Sequence, residues 1–225
     1  GSSACVRTGD DVLIGCESCE ELWTPYPAHV QLALRGVEII GNGSGSHHQL
    51  RKLDKRLELM IAATKKSGGV YLYSNQRGCD GGRMYYDGAA LIVCNGQVLA
   101  QAPQFSLRDV QVITATIDLD SVRSFRASVP SFGCQVQQQQ SLDGGGLVVE
   151  VPDARLLLPP ASSVTFQLTK PKSALTLSCP EAECCLGPAC WLWDYLRRSG
   201  ASGYLLPLSG GADSSAVDRK STRLN

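Results

Sequence analysis

Val12-Leu13-Ile14-Gly15-Cys16-Glu17-Ser18-Cys19-Glu20-Glu21-Leu22-Trp23 is the stretch on which the reading of this chain turns. The apolar run Val12 to Gly15 has the length of a short buried strand, and it delivers a cysteine set among carboxylates to the strand's end. Open α/β sheets place their reactive groups at strand ends, where loops vary over a rigid scaffold.

Outward from that stretch, the two prolines of Thr24-Pro25-Tyr26-Pro27 forbid immediate helix, and Ala28 to Leu34 then reads as a short helix closed by Gly36. Val37 to Ile40 predicts a second strand, followed by a small polar loop, Gly41 to Ser46, again at a strand end. Leu50, Leu53, Leu57, Met60 and Ile61 recur at helical spacing, so residues 49–66 predict an amphipathic helix stopped by Gly68-Gly69. Val70 to Tyr73 is a third strand, then a glycine-rich loop from Asn75 to Gly88, whose Asp80, Arg83 and Asp87 could serve catalysis or a subunit contact. Asn95-Gly96 between two apolar runs is a strong hairpin signal. Val110 to Ile117 adds an expected strand and Asp118 to Arg126 a short helix.

Alternating strands and helices, then a hairpin, predict an α/β layered domain over residues 1–127. The texture then changes. Gln137 to Gln140 is a glutamine run, Gly144 to Gly146 a flexible triplet, and Leu147 to Val151 and Val164 to Leu168 are weak strand patterns, so 128–186 is expected to be a connector, partly ordered at best. Order returns with a helix over Pro188 to Arg198, its apolar face formed by Trp191, Leu192, Tyr195 and Leu196, and with a buried strand pattern, Tyr204 to Leu208. A further α/β unit is expected over 187–217.

Composition removes several classes of function. Acidic and basic residues balance at 21 each, so no net-charge argument favours nucleic acid or a membrane surface. No apolar run approaches the roughly 20 residues of a membrane span, and no basic-then-apolar leader is seen, which sets the expectation of a soluble cytoplasmic protein. Ten cysteines spread over a chain this apolar read as reduced thiols rather than as a disulfide scaffold. Cys94 fits an apolar strand; Cys179, Cys184, Cys185 and Cys190 cluster near a helix start. Cys16 and Cys19 form one Cys-x-x-Cys, but His29, His47 and His48 fit no zinc-finger spacing, so no metal site is expected. A redox pair is disfavoured by Glu20 and Glu21, which oppose a thiolate.

Two constellations carry chemistry. In Ser209-Gly210-Gly211-Ala212-Asp213-Ser214, directly after a strand pattern, the backbone N–H groups can wrap a phosphate at the start of a helix. The lysine of a Walker loop is absent, and a plain glycine-rich turn is the other reading. At the cysteine stretch, a thiol nucleophile needs a base and an oxyanion partner, which the adjacent glutamates do not supply.

The phosphate loop resembles that of the N-type ATP pyrophosphatases, and Cys19-Glu20 after a strand resembles the nucleophile motif of the nitrilase, or carbon-nitrogen hydrolase, family. Their combination resembles the family of glutamine-dependent NAD synthetases. Cys19 to Pro25, Gly43 to His48, Gly78 to Arg83 and Gly187 to Asp194 agree with it in order and spacing, over most of residues 9–217. The resemblance implies a nitrilase-like α-β-β-α layered sandwich, here its C-terminal half, followed by the first strand and loop of an adenine-nucleotide α-hydrolase-like domain.

It further implies that Cys19 attacks the amide of glutamine, that Glu20, Ser46 and Lys52 hold that substrate, and that Pro207, Leu208, Ser209, Gly210, Gly211, Ala212, Asp213 and Ser214 bind ATP with its Mg2+. ATP would then serve as a co-substrate in amidating deamido-NAD+, without a prosthetic group, in a homo-oligomeric parent. Ser46 could instead cap the next helix, and Lys52 could be a solvated face residue. A stand-alone nitrilase-type amidase, or a non-catalytic truncated product, is the alternative. The glutamate base and the lysine of the nitrilase triad match no residue here and would belong upstream, so the chain alone is expected to be inactive. Residues 218–225 depart from the family and are expected to be a foreign tail, and the helix after the phosphate loop is expected to be missing.

Overall fold

A computed structural model describes residues 4–143, 146–156 and 167–221. Its centre is a seven-stranded sheet in the order β8-β7-β4-β3-β2-β1-β9, built from β1 (Ala4–Thr8), β2 (Leu13–Ser18), β3 (Ile39–Ser44), β4 (Val70–Asn75), β7 (Leu91–Cys94), β8 (Gln97–Gln101) and β9 (Leu147–Val151). The middle strands β2, β3 and β4 are parallel; β1 pairs antiparallel with β2 and parallel with β9, and β7 pairs antiparallel with both β4 and β8. A two-stranded ribbon, β5 (Arg77–Cys79) with β6 (Tyr85–Asp87), projects from the end of β4.

Parallel neighbours need crossover connections, and helices α1 (Ala28–Leu34) and α2 (Lys52–Ser67) supply them. They bury Leu32, Leu53, Leu57 and Met60 against Val37, Ile40, Tyr71, Tyr73, Leu91 and Val93, which forms the main core. The approach is close: a Cβ on Gly15 would lie 3.0 Å from Leu32 Cδ2. Asn95 (φ 47°) and Gly96 (φ 83°) both take positive φ, as the expected two-residue hairpin turn requires. Among the described residues no helix is long and apolar enough to cross a membrane.

Several expectations are corrected. Gly41 to Ser44 belongs to β3 rather than to a loop, because strands on both sides pair with it. The glycine-rich stretch after Asn75 contains the ribbon, whose turn is held by Asp80 Oδ1 accepting from the N–H groups of Gly82 and Met84. Val110 to Ile117 forms no strand. Ile113, Ala115 and Ile117 do bury one side, against Val12, Val70, Ile92, Leu119 and Val122, but Thr116 bonds to Thr169 instead of a ladder. Alternation reports burial, and here the burial comes without pairing.

Within the span read as a connector lie α4 (Pro130–Asp143) and β9, which adds to the sheet edge beside β1. Gly144, Gly145 and Val164 to Phe166 of that span, and residues 222–225 of the expected tail, lie outside the described residues. Helix α5 begins eight residues before Pro188, at Pro180, and runs to Ser199. Its buried face is Glu183, Gly187, Cys190 and Asp194, not the expected aromatic one; Trp191 and Tyr195 stack on each other, with Tyr195 exposed. Tyr204 to Leu208 is not a buried strand: Leu205 is 96% exposed, since no described strand lies beside it to complete a ladder. The helix expected to be missing after the phosphate loop is present as α6 (Ala212–Ser221).

Helix α3 (Asp120–Ala127) is fastened by arginines. Arg126 donates to the carbonyls of Val37 (2.6 Å), Ser67 (3.0 Å) and Gly68 (3.2 Å), and burial pulls its pKa down to about 10 although Glu38 opposes this. Arg126→Met leaves three carbonyls without their donor and is expected to lower the unfolding free energy by about 2–3 kcal/mol in urea titration. Lys55→Met breaks only an exposed pair with Glu58 and should cost under about 0.5 kcal/mol in the same measurement.

Candidate active site

The C-terminal ends of the three parallel strands lie in register, with Ser18 opposite Gly43 and Gly43 opposite Ser74. Cys19 follows Ser18 and opens a 3-10 turn, Cys19–Trp23. Its φ of 40° lies in the left-handed region, which costs a non-glycine residue about 1–2 kcal/mol, and such strain gathers where a side chain must be aimed. The turn is held by its own residues: Glu21 Oε2 accepts the Ser18 N–H at 2.6 Å in a capping box, and Leu22 is buried in the core. Glu20 is exposed beside Cys19, which is itself part-exposed. Cys16 is exposed on the other face of the sheet, because the pleat alternates it with buried Gly15 and Glu17.

Ser46 is buried in the turn just after β3, and its environment rules out the helix-cap role. The residue before α2 is Arg51, whereas Ser46 donates its N–H to Asn75 Oδ1 (2.9 Å) and accepts at its carbonyl from Asn75 Nδ2 (3.0 Å) and Arg56 Nη2 (2.9 Å). Arg56 Nε also reaches the Ser46 hydroxyl at 3.3 Å. Arg56 and Asp87 are both fully buried and paired at 2.9 Å, and Gln104 Nε2 donates to Asp87 at 2.8 Å. Asp87 is therefore a structural anchor under the site. The helical spacing sets Arg56, with Lys52, Lys55 and Glu58, mostly off the apolar face; the structure corrects this, since Arg56 lies between Leu53 and Leu57 on the buried face, where Asp87 and the Ser46 carbonyl satisfy it.

Lys52 comes over the turn from the first position of α2. Its ammonium donates to the His47 carbonyl (3.2 Å) and sits 5.7 Å from the centroid of the Trp23 ring. Burial, and then the charge of Arg56, pull its pKa down, while Asp87 and Cys19 oppose this, which puts Lys52 within electrostatic reach of the thiol. The structure thus brings Cys19, Ser46 and Lys52 to one end of the sheet.

The residues from Pro207 to Ser214 form a separate exposed turn. Ser209 Oγ lies 3.2 Å from Ser214 Oγ, Ser214 Oγ donates to the Gly211 carbonyl, and Gly210 takes φ 81° before α6 begins. No hydrogen bond described for this turn reaches the cysteine end of the sheet.

Behind Cys19 lies a second buried group that sequence reading missed. Glu17, 3% exposed, accepts from His29 Nδ1 (3.0 Å), from the His29 N–H (2.8 Å) and from the Tyr71 hydroxyl, which in turn accepts from Asn42 Nδ2 (2.9 Å). The network locks the strand two residues before the thiol onto α1 and β4. Burial pushes the Glu17 carboxyl up, but the bonds and charge from His29 and the Tyr71 hydroxyl outweigh it, and the net shift is downward from 4.5. Burial and the neighbouring carboxylate push the Tyr71 phenol well up.

A carboxyl depressed on folding stabilises above its unfolded pKa, and that stability drains away as pH falls through the folded value. Glu17→Gln should therefore flatten the acid side of the stability curve, with a smaller loss of urea midpoint between about pH 7 and about pH 3.5 than the unsubstituted chain shows.

Curated relatives of this chain are glutamine-dependent NAD(+) synthetases. It is 56% identical to the one from Arabidopsis thaliana and 53% to the one from Saccharomyces cerevisiae, each over 207 residues and 92% of this chain. The chain spans 27% and 28% of the length of those two relatives. Among solved structures it is similar to the glutamine-dependent NAD+ synthetase from Acinetobacter baumannii, with a TM-score of 0.65 at 21% identity over 93% of this chain and 30% of that one, a likeness of fold. The carbon-nitrogen hydrolase family profile matches residues 3–127, the stretch that holds β1 to β8, the cysteine turn and the Ser46 and Lys52 side of the site, and on that match the chain belongs to the carbon-nitrogen hydrolase family.

Proposed function

We propose that this chain contributes the nucleophile and part of the substrate cradle to a glutamine amide-hydrolysing unit that feeds ammonia to NAD+ synthesis. The observation that carries the reading is Cys19 held at φ 40° on the end of β2, with Lys52 within electrostatic reach of it and Ser46 fixed by Arg56 and Asn75 at the same end of the sheet. Cys19 sulfur attacks the side-chain amide carbon of glutamine, the C–N bond breaks as the nitrogen takes a proton and leaves as ammonia, and water then cleaves the thioester to glutamate. Lys52 and Ser46 hold the substrate's carboxylate side, and Glu20, exposed next to the nucleophile, meets its amino group. The base and the second cation of this chemistry are assigned to no residue of this chain.

Residues 207–214 are the proposed ATP loop. They fit a phosphate in that Gly210 takes φ 81° just before α6 begins, and the first N–H groups of a helix have no acceptor within it. ATP with Mg2+ would supply the activation of deamido-NAD+ for amidation by the released ammonia. Similarity to synthetases over 92% of the chain extends past the hydrolase match, which favours this reading over a stand-alone amidase. The whole protein is proposed to act in the cytoplasm as a homo-oligomer.

L-glutamine at about ten times its dissociation constant should slow alkylation of Cys19 by iodoacetamide about tenfold. Peptide mass spectrometry reads this, with exposed Cys16 as the unprotected internal control. Ser46→Ala and Lys52→Ala should each remove the protection, and equal rates with and without glutamine in the unsubstituted chain would overturn the reading. The chain on its own should release no more ammonia from glutamine than Cys19→Ala does; Cys19-dependent release would show that base and cation are already present.

A further inference from the structure

The turn that carries Ser46 and Lys52 is held from beneath by Arg56 and from the side by a residue far along the chain. Glu183, in the first turn of α5, is 2% exposed. Its Oε2 accepts from His48 Nε2 (3.1 Å) and from the Arg51 N–H (3.0 Å), and its Oε1 lies 3.4 Å from Arg51 Nη1. The same guanidinium donates to the Ser178 carbonyl at 2.5 Å. One turn along α5, a Cβ on Gly187 would come within 3.3 Å of His48 Nδ1, so the helix backbone presses on the imidazole that Glu183 holds. The same ring meets Phe105 edge-on at 5.1 Å.

A carboxylate this buried costs several kcal/mol unless its oxygens are satisfied. Here the donors come from residues 48 and 51, and the charge lies at the N-terminal ends of two helices, α5 and α2, where both dipoles favour it. Arg51 is forced into the left-handed region, φ 64°, and the peptide N–H that it turns outward is the one Glu183 accepts. The next residue is Lys52. With Ser46 fixed by Arg56 and Asn75, and Arg51 fixed by Glu183, the direction in which Lys52 leaves the backbone is set at both ends of the turn.

We propose that Glu183 is a positioning residue for the glutamine-binding side of the site, acting through His48 and Arg51 to hold Lys52 toward Cys19. The proposal rests on the reading of Cys19, Ser46 and Lys52 given above. It also means that the site is completed by a helix outside the segment matched to the hydrolase family.

The test uses the full chain with Glu183→Gln, which keeps shape and one acceptor while losing the charge, and Glu183→Asp, which keeps the charge on a shorter stem. Hydrogen exchange should be about tenfold faster over residues 46–53 in Glu183→Gln, with β4 amides unchanged. Protection of Cys19 by L-glutamine should then need about tenfold more ligand, and Glu183→Asp should fall between the two chains in both measurements. A merely structural role would speed exchange in β4 as much as in the turn, and that outcome overturns the proposal, as does unchanged exchange over 46–53. Should Glu183→Gln not fold, the same comparison on Glu183→Asp decides. Absence of glutamine protection in the unsubstituted chain overturns the substrate reading instead, and the exchange data still decide whether Glu183 holds the turn.

Discussion

The ion pair between Arg56 and Asp87 is the interaction on which the geometry of the site depends. Both side chains are fully buried, and the low-dielectric surroundings would make either alone expensive. Each is satisfied several times over: Arg56 by Asp87 and by the carbonyls of Ser46 and His47, Asp87 by Arg56, Asn75 and Gln104. These partners come from α2, the turn after β3, the end of β4, β6 and the segment after β8. One buried charge pair therefore ties five pieces of chain to the same end of the sheet, and the apolar core below could not impose that register, since hydrophobic contact is non-directional.

Three buried acids share this logic. Asp87 sits under the turn, Glu17 behind the cysteine and Glu183 beside the start of α2, and each gathers donors from segments distant in sequence. Together they enclose the strand end bearing Cys19 and leave Lys52 as a partly buried cation with a lowered pKa. A formal charge of zero over the chain conceals this arrangement. The charges relevant to the site are inside, where screening is weak, and the surface pairs such as Lys55 with Glu58 contribute little.

Much of the fold was legible where local pattern and tertiary demand coincide. Helix α1 has the bounds its prolines and Gly36 indicate, α2 follows the leucine spacing, and the Asn95-Gly96 turn takes the two positive φ values its hairpin needs. Legibility failed where a pattern was right about burial and silent about partners. Ile113 to Ile117 alternates like a strand and buries one side like one, yet among the described residues no strand pairs with it. Tyr204 to Leu208 is apolar enough for a core strand and stands exposed for the same reason. On α5 the aromatic residues suggested the buried face, but Gly187 allows the close approach to His48 and turns the polar Glu183 and Asp194 inward.

By itself the sequence determined the α/β class, the positions of α1, α2, α3 and the Asn95-Gly96 hairpin and the placing of Cys19 at a strand end, because these follow from period, turn chemistry and propensity within a dozen residues. Only the tertiary structure decided that Ser46 is held by Arg56 rather than capping a helix, that Asp87 is an anchor, and that Glu17 and Glu183 are buried around the site. A charged residue can be buried only when its partners are, and those partners lie up to 135 positions away, beyond anything that local spacing can report.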